Sequence, residues 1–593
     1  MSAFLNDSFM GRIIYHLSGR KLFLHNDEKP GYVIPEKYLL RTDGANEINE
    51  KTTKENEDTQ VNTTTNTNKI NDSSESSDLN QVKSNKSSDS TVGTINSPIE
   101  KDKDQVDETK PKNDYIIVTW DGDDDPENPL NRPLFWKSIM AFQIAFMTTS
   151  VYMGSAIYTP GIIDIMEKFN IGQVVATLPL TLFVVGYGIG PIIFSPLSED
   201  IRIGRTPLYI ITIFIFCMMQ IPTALSQNIA GLCILRFIAG FFASPCLSTG
   251  GASVSDFISL PYIVIGLATW SLGAVCGPSL GPLIGAVLVV RGGHNGYESW
   301  RWTFWFMALL SSCFIILAFT LPETYSKKLL RNKAIRLRRL TGNNMIRSEG
   351  ELELKEANHT LRQLLTKLFW RPFKITFTEP VVLLIDIYIA LVYSIMYMFF
   401  EAVPIVFQET KHFALIPMGC AYLSVVIGIV IGAGFYIPLI YKIFTVKVLG
   451  GQMVYPEVFI PPAIFGSCLM PVGLFIFAWT SSPDIHWFPP LIGLAFFAAG
   501  AFFIFQTLFN YMAASFKVEF LASVFSSNNL FRSTVAASMP LYSRQMFNNL
   551  GSERFPVGWG TSLLSFICVA MISIPVLFYL NGTKLRARSQ YAY

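Results

Sequence analysis

Gly273-Ala-Val-Cys-Gly277-Pro278-Ser-Leu-Gly281-Pro282-Leu-Ile-Gly285 lies inside an apolar run from Tyr262 to Val290 that contains no charged residue. As a helix, a run of this length crosses a ~30 Å hydrocarbon core, for which roughly 20 residues suffice. Backbone polar groups in lipid must be satisfied within the segment, so a continuous apolar run is read as a helix rather than an open strand. In a helix the four glycines, spaced by four, share one face over roughly 18 Å at 1.5 Å per residue. Such a ribbon lets a neighbouring backbone approach closely. Pro278 and Pro282 remove ladder donors and allow the helix to bend. The ribbon predicts a tight helix contact that works when the bundle changes shape; plain small-residue packing is the other reading of the same spacing.

Working outward, the 593 residues are half hydrophobic and only 15% charged, whereas soluble domains carry about a quarter charged residues. Five further runs accompany this one in the first half, giving spans at about Lys137 to Tyr158, Val174 to Phe194, Leu208 to Ser226, Ile229 to Thr249, Tyr262 to Val290 and Trp302 to Leu321. Six more follow, at Pro380 to Phe400, Met418 to Leu439, Val458 to Trp479, Trp487 to Met512, Phe520 to Leu541 and Gly558 to Leu580. The expected fold class is an all-α membrane protein of twelve transmembrane helices in two six-helix bundles, residues 137–321 and 380–580. Around them the sequence reads as an N-terminal segment (1–39), a disordered polar tail (40–113), a juxtamembrane segment (114–136), a central polar loop (322–379) and a C-terminal tail (581–593). The tail's Asn, Ser, Thr and Lys bias leaves too little apolar surface to offset ordering.

Lys and Arg collect on the side that holds both termini and the central loop, which predicts a cytosolic location for all three. The basic run Lys327, Lys328, Arg331, Lys333, Arg336, Arg338 and Arg339 is read as a topology signal that touches anionic lipid. The net charge of +2 and the lack of a basic stripe apart from these loops argue against a nucleic-acid partner. All eight cysteines fall in apolar runs without a CxxC pair, so they read as small core residues rather than disulfides or metal ligands.

Arg236, in Leu235-Arg236-Phe-Ile-Ala-Gly240, sits about seven residues inside its span. A charge at that depth costs at least ~2.5 kcal/mol and is expected to face a cavity or a partner. Together with the doubled Gly-Pro of the ribbon, Ser195-Pro-Leu-Ser-Glu199 before Gly204-Arg205, Ser299-Trp300-Arg301-Trp302 and Leu321-Pro322-Glu323-Thr324, this makes the chain resemble the fungal twelve-span drug:proton antiporters of the major facilitator superfamily from Trp120 to Arg588. The loop departs from the superfamily pattern: Ser195 replaces its first glycine, Glu199 its aspartate, and one residue is extra. The resemblance implies that the ribbon is the antiporter motif, that Glu199, Gly204 and Arg205 gate, and that Arg236 serves proton transfer. It also implies a plasma-membrane exporter, not an enzyme, that uses the proton gradient instead of a cofactor and handles drugs such as azoles, benomyl, methotrexate and cycloheximide.

A central cavity between the bundles, opened alternately to each side, follows from that likeness. Tyr393, Tyr397 and Phe400 in span seven, with Phe505, Gln506, Phe509 and Asn510 in span ten, are the expected substrate-binding walls. No histidine falls in a span, which leaves Asp256, placed near the start of span five, Asp386 and Glu401 as proton carriers, with Arg236 as a cation that Asp256 could meet. A proton crossing ~100 mV and two pH units releases about 5 kcal/mol, enough for a gradient of a thousandfold or more. No Gly-Lys-Ser/Thr phosphate loop points to ATP. The chain is read as a monomer; a polyamine or nutrient transporter on the same fold, or a non-transporting receptor, are the rival readings.

Overall fold

The computed structural model describes residues 6–39, 115–292, 298–356, 370, 373–516 and 518–589. The span 40–113, expected to be a disordered tail, lies outside the described residues. The chain divides into a large unit, Met1–Val33 with Ile117–Arg336 and Arg347–Tyr593, and a small one, Ile34–Ile116 with Leu337–Ile346. In the small unit a 3-10 turn occupies Glu36–Tyr38, and the Ile116 amide donates to the Met345 carbonyl at 3.0 Å.

The large unit is built from long apolar helices. Span 1 is Leu134–Ala156, span 2 Gln173–Glu199, span 3 Arg205–Ala224, and span 4 Ile229–Ser248 continued by Gly250–Phe257. Span 5 is Ile263–Gly292 and span 6 Arg301–Thr320. The second half holds span 7 (Pro380–Val403), span 8 (Leu423–Ile440), span 9 (Ile460–Thr480), span 10 (Phe488–Ser515), span 11 (Val518–Leu550) and span 12 (Gly558–Met571 continued by Ser573–Ala587). Phe142, Ile211, Ile316, Phe435 and Leu580 lie exposed on the outer faces, as lipid-facing side chains should.

Among the described residues, eleven helices are long and apolar enough to cross a membrane. Span 11 is the remaining long helix, and it runs past the expected Phe520–Leu541 boundaries. Its polarity has a destination: Ser526, Ser527, Asn528, Asn529, Arg532 and Ser533 are all buried. Polar groups that would be costly against lipid are here turned inward, where hydrogen-bond partners exist.

Span 4 also differs from expectation. It does not stop at Thr249 but continues to Phe257, because Gly250 and Gly251 are accommodated in helix and the break comes only at Ile258 and Pro261. Asp256 is therefore at the end of span 4, not near the start of span 5. Twenty residues of helix place it about 30 Å along the axis from Arg236.

The N-terminal segment and the basic run form one electrostatic clasp. Helix Phe9–Leu17, capped by the Ser8 hydroxyl, lies against span 6 through the Phe9–Phe319 ring pair at 5.1 Å. Within helix Ser326–Thr341, Arg336 binds Asp27 and Glu127 (both 2.8 Å), and Lys333 binds Asp121 at 2.8 Å and Asp125 at 3.2 Å. Lys328, Lys333 and Arg336 are buried. The reading of this run as lipid-touching thus fails for these three, whose charges are taken up by the Asp121 to Glu127 segment, by Asp27 and by Glu323. The end of the large unit carrying this clasp is the loop end.

Candidate functional site

A cavity of about 360 Å³ lies between the two bundles. Spans 1, 2, 4 and 5 line it from the first half with Tyr152, Ser195, Glu199, Thr249 and Trp270, and spans 7, 10 and 11 from the second with Tyr393, Phe505, Gln506, Phe509, Asn510, Asn529 and Arg532. Five of the seven expected wall residues are therefore present. Tyr397 and Phe400 are not: Tyr397 is turned into a hydroxyl cluster and Phe400 packs against it at 5.3 Å.

That cluster belongs to a seam that closes one end. Along span 2, Gln173 Nε2 donates to Glu401 Oε2 at 2.9 Å, the Thr181 hydroxyl to the Ala537 carbonyl at 2.8 Å, and the Tyr187 hydroxyl meets those of Tyr393 (2.6 Å) and Tyr397 (2.9 Å). Residues 173 to 187 cover about 21 Å of helix, all of it pressed against the second half. Arg544 completes the far end, 3.9 Å from Glu401 and 2.5 Å from Glu409. Past Tyr187 the same helix lines the cavity with Ser195 and Ser198 and ends at exposed Glu199. The cavity thus continues to the loop end and is shut at the other.

The glycine ribbon faces span 1 within the same bundle. A methyl placed on Gly273 would stand 2.8 Å from the Ala145 carbonyl oxygen; on Gly277, 2.6 Å from that of Thr149 and 2.7 Å from Tyr152 Cβ; on Gly281, 2.8 Å from that of Met153. Gly285 meets the Ile157 carbonyl in the same way. Contact with the other half comes from a different face of span 5, where Gly419 lies against Pro282, Leu283 and Ala286. The expected tight helix contact is thus made inside one bundle, between spans 5 and 1.

At the loop end Gly204, at φ +73°, turns the chain so that Arg205 begins span 3 buried. Its Nε donates to Asp256 Oδ2 at 2.9 Å, its Nη1 to the Ser198 hydroxyl at 3.1 Å, and its amide to Glu323 Oε1 at 3.0 Å. Glu199, expected to gate with Gly204 and Arg205, is exposed at the end of span 2, and the carboxylate that pairs with Arg205 is Asp256. Thr324 adds a hydrogen bond to Asp256 at 3.2 Å. Burial opposes ionisation of Glu323, yet Lys328 at 2.8 Å and the nearby Arg12 charge hold its carboxyl below the ordinary value.

Arg236 is completely buried and pairs with no carboxylate among the described residues. Its Nη2 donates to the carbonyls of Gly154 (2.7 Å) and Ser155 (3.1 Å), and its guanidinium lies 4.3 Å from the Phe183 ring centre, 5.3 Å from Tyr158 and 5.4 Å from Phe304. Gly154 and Ser155 are in the last turn of span 1, where carbonyls lack intrahelical partners and the helix dipole is negative. The juxtaposition with Asp256 does not occur.

Asp386 accepts from Asn528 Nδ2 at 2.6 Å and from the Ser527 hydroxyl at 3.3 Å, away from the cavity lining. Sequence reasoning missed Arg532, Asn529 and Tyr152. The signal for Arg532 and Asn529 was present in span 11, whose polar residues were too many for a lipid-facing helix; Tyr152, on span 1, had none.

A family model described as Major Facilitator Superfamily matches residues 144–540. The chain is 59% identical to the cycloheximide resistance protein of Candida maltosa over the full length of both, and 42% identical to the fluconazole resistance protein 1 of Saccharomyces cerevisiae, covering 81% of this chain and 86% of that one. Among solved structures, the proton:xylose symporter XylE bound to 6-bromo-6-deoxy-D-glucose aligns with a TM-score of 0.53 at 12% identity, covering 75% of this chain and 95% of the other, a likeness of fold. With its paired helical bundles, the cavity between them and these relatives, the chain belongs to the major facilitator superfamily.

Proposed function

We propose that this protein exports structurally diverse, mostly hydrophobic toxic molecules across the plasma membrane by alternating access, in exchange for protons. The observation that carries this reading is the cavity: aromatic and amide-lined, shared between the bundles and continuous only with the loop end. Lys and Arg asymmetry supports a cytosolic location for that end, from which the cavity would collect molecules of the cell interior. The relatives' names as resistance proteins support the same direction. Among the described residues one carboxylate, Glu199, lines the cavity, which gives little support to a polyamine carrier.

Protons supply the energy in this reading, and no resident cofactor is invoked. Asp256, Asp386 and Glu401 stand at different places: in the loop-end network, between spans 7 and 11, and in the far seam. The carrier is the one whose neutral variant, Asn or Gln, leaves drug binding intact but makes flux indifferent to an imposed pH gradient.

The test is drug accumulation in a pump-depleted yeast expressing this chain, with and without a protonophore. Low accumulation that rises to the vector-control level on adding the protonophore is expected. Accumulation unaffected by expression, or low accumulation that the protonophore leaves unchanged, would overturn export or proton coupling respectively.

A further inference from the structure

The second-half wall of the cavity holds a cation that, among the described residues, has no carboxylate within ion-pair distance; Asp386 acts on it only from farther off. Arg532 is 6% exposed and lines the cavity. Its Nη2 donates to Asn529 Oδ1 at 2.8 Å and lies 3.3 Å from the Tyr152 hydroxyl, while Nε, a fixed donor, has no hydrogen-bond partner. The guanidinium stands 5.2 Å from the ring centre of Tyr393, 5.1 Å from Phe505 and 5.6 Å from Phe509. No carboxylate pairs with it among the described residues: Asp386 is held by Asn528 and Ser527, and at the mouth Asp256 is taken by Arg205.

Three aromatic faces offset part of the cost of burying the charge, but they leave the Nε–H unsatisfied, and a buried donor without an acceptor is unfavourable. An incoming oxygen anion would satisfy it. The guanidinium edge is a planar fork suited to a carboxylate, and the rings beside it are suited to an aromatic body. We infer that Arg532 is the anion-recognising subsite of this cavity, binding the carboxylate of aromatic acids whose ring lies among Tyr393, Phe505 and Phe509. The same cation disfavours polycations at this depth. This inference rests on the cavity being the transport site proposed above.

The probes are pyrenebutyrate and pyrenebutanol, which share a ring system and differ in the head group. Binding to the purified full-length protein in nanodiscs, read by pyrene fluorescence, is compared for wild type, Arg532→Gln and Arg532→Lys. Arg532→Gln should weaken the acid at least tenfold and the alcohol less than twofold, and Arg532→Lys should recover part of the acid affinity. Equal loss of both probes would make Arg532 a packing element acting through Tyr152, and no loss, or a wild type that does not bind the acid, would also overturn the subsite. Should Arg532→Gln not fold, Arg532→Lys alone decides, by a several-fold loss confined to the acid. Proton-driven flux of pyrenebutanol in proteoliposomes tests export separately: absent flux with head-group selectivity intact would sink the transport reading and leave the subsite standing.

Discussion

Arg236 and Arg532 are both buried guanidinium groups, and they differ in what holds them. Arg236 closes the frayed end of span 1 through the Gly154 and Ser155 carbonyls. Arg236→Ala would leave those acceptors buried, at about 1–3 kcal/mol each, and remove a cation from the negative end of a helix. Efflux of chemically unrelated drugs should therefore fail together in this variant while surface expression persists, and Arg236→Lys, with fewer directed donors, should be intermediate. Loss of a single drug, measured against imposed pH gradients, would contradict the assignment. Arg236 was legible because one charge in an apolar run is conspicuous. Asp256 was misplaced because the Gly250-Gly251 pair reads as a stop while the helix in fact continues, and its partner Arg205 could not be inferred because 51 residues separate them. Breaking that pair tests the loop-end network: Asp256→Asn should impair export, and the swap Arg205→Asp with Asp256→Arg should restore part of it, since one partner removed leaves the other charge uncompensated. No recovery in the swap would mean that the geometry around Ser198 and Glu323, not the pair itself, is what matters.

Helix contacts show the same division between legible and hidden. The ribbon on span 5 was visible as a spacing of four, but which helix it met was not. The second half uses another device: Gly473 opposes Gly493 and Gly466 opposes Gly500, reciprocally, across spans 9 and 10. Those pairs escaped notice because a spacing of seven is sparse in a glycine-rich chain. On the ribbon, a methyl at Gly277 would collide with both the Thr149 carbonyl and Tyr152 Cβ, and Tyr152 lines the cavity. Gly277→Ala should hence alter the drug spectrum at normal surface expression, and Gly277→Leu should abolish efflux; unchanged efflux in both would deny the close contact. The clasp gives an element-scale prediction with a pH sign. Against the cost of burial, the His25 ring and the Arg336 charge hold the Glu127 carboxyl well below its usual range. A depressed folded pKa means that its stabilisation is full above the unfolded value of about 4.3 and is lost only as pH falls through the folded value. As far as Glu127 carries it, mild cytosolic acidification should leave the clasp shut, although burial raises the Asp27 carboxyl; Arg336→Ala strands both and should destabilise the clasp by about 3–5 kcal/mol. Limited proteolysis between residues 18 and 33 reads both: faster cleavage in Arg336→Ala, and none added between pH 7.5 and 6.

For the molecule as a whole, the sequence made two bundles legible because hydrophobic length alone marks each helix. The state of the cavity depends on contacts between distant residues, which spacing cannot carry. Here the two halves are joined along span 2 from Gln173 to Tyr187, and alternating access requires that seam to part while the loop end closes. Thr181 and Ala537 sit within it, on opposite halves, with a hydrogen bond of 2.8 Å between them. In a background without Cys313, Cys420 and Cys468, the exposed thiols, Thr181→Cys with Ala537→Cys should react with a short bis-methanethiosulfonate, which joins them through two disulfide bonds. The bridge should stop efflux completely, and a reductant should restore it. Drug binding from the loop end should survive, because the cavity is already continuous with that side. The control bridges Cys217 to Ser312→Cys, neighbours at 3.3 Å within the first half, where each bundle is expected to move as a body. That bridge should leave efflux largely intact. Continued efflux with the Thr181 to Ala537 bridge in place would show that the seam need not open, and the route out of the cavity would then have to lie elsewhere.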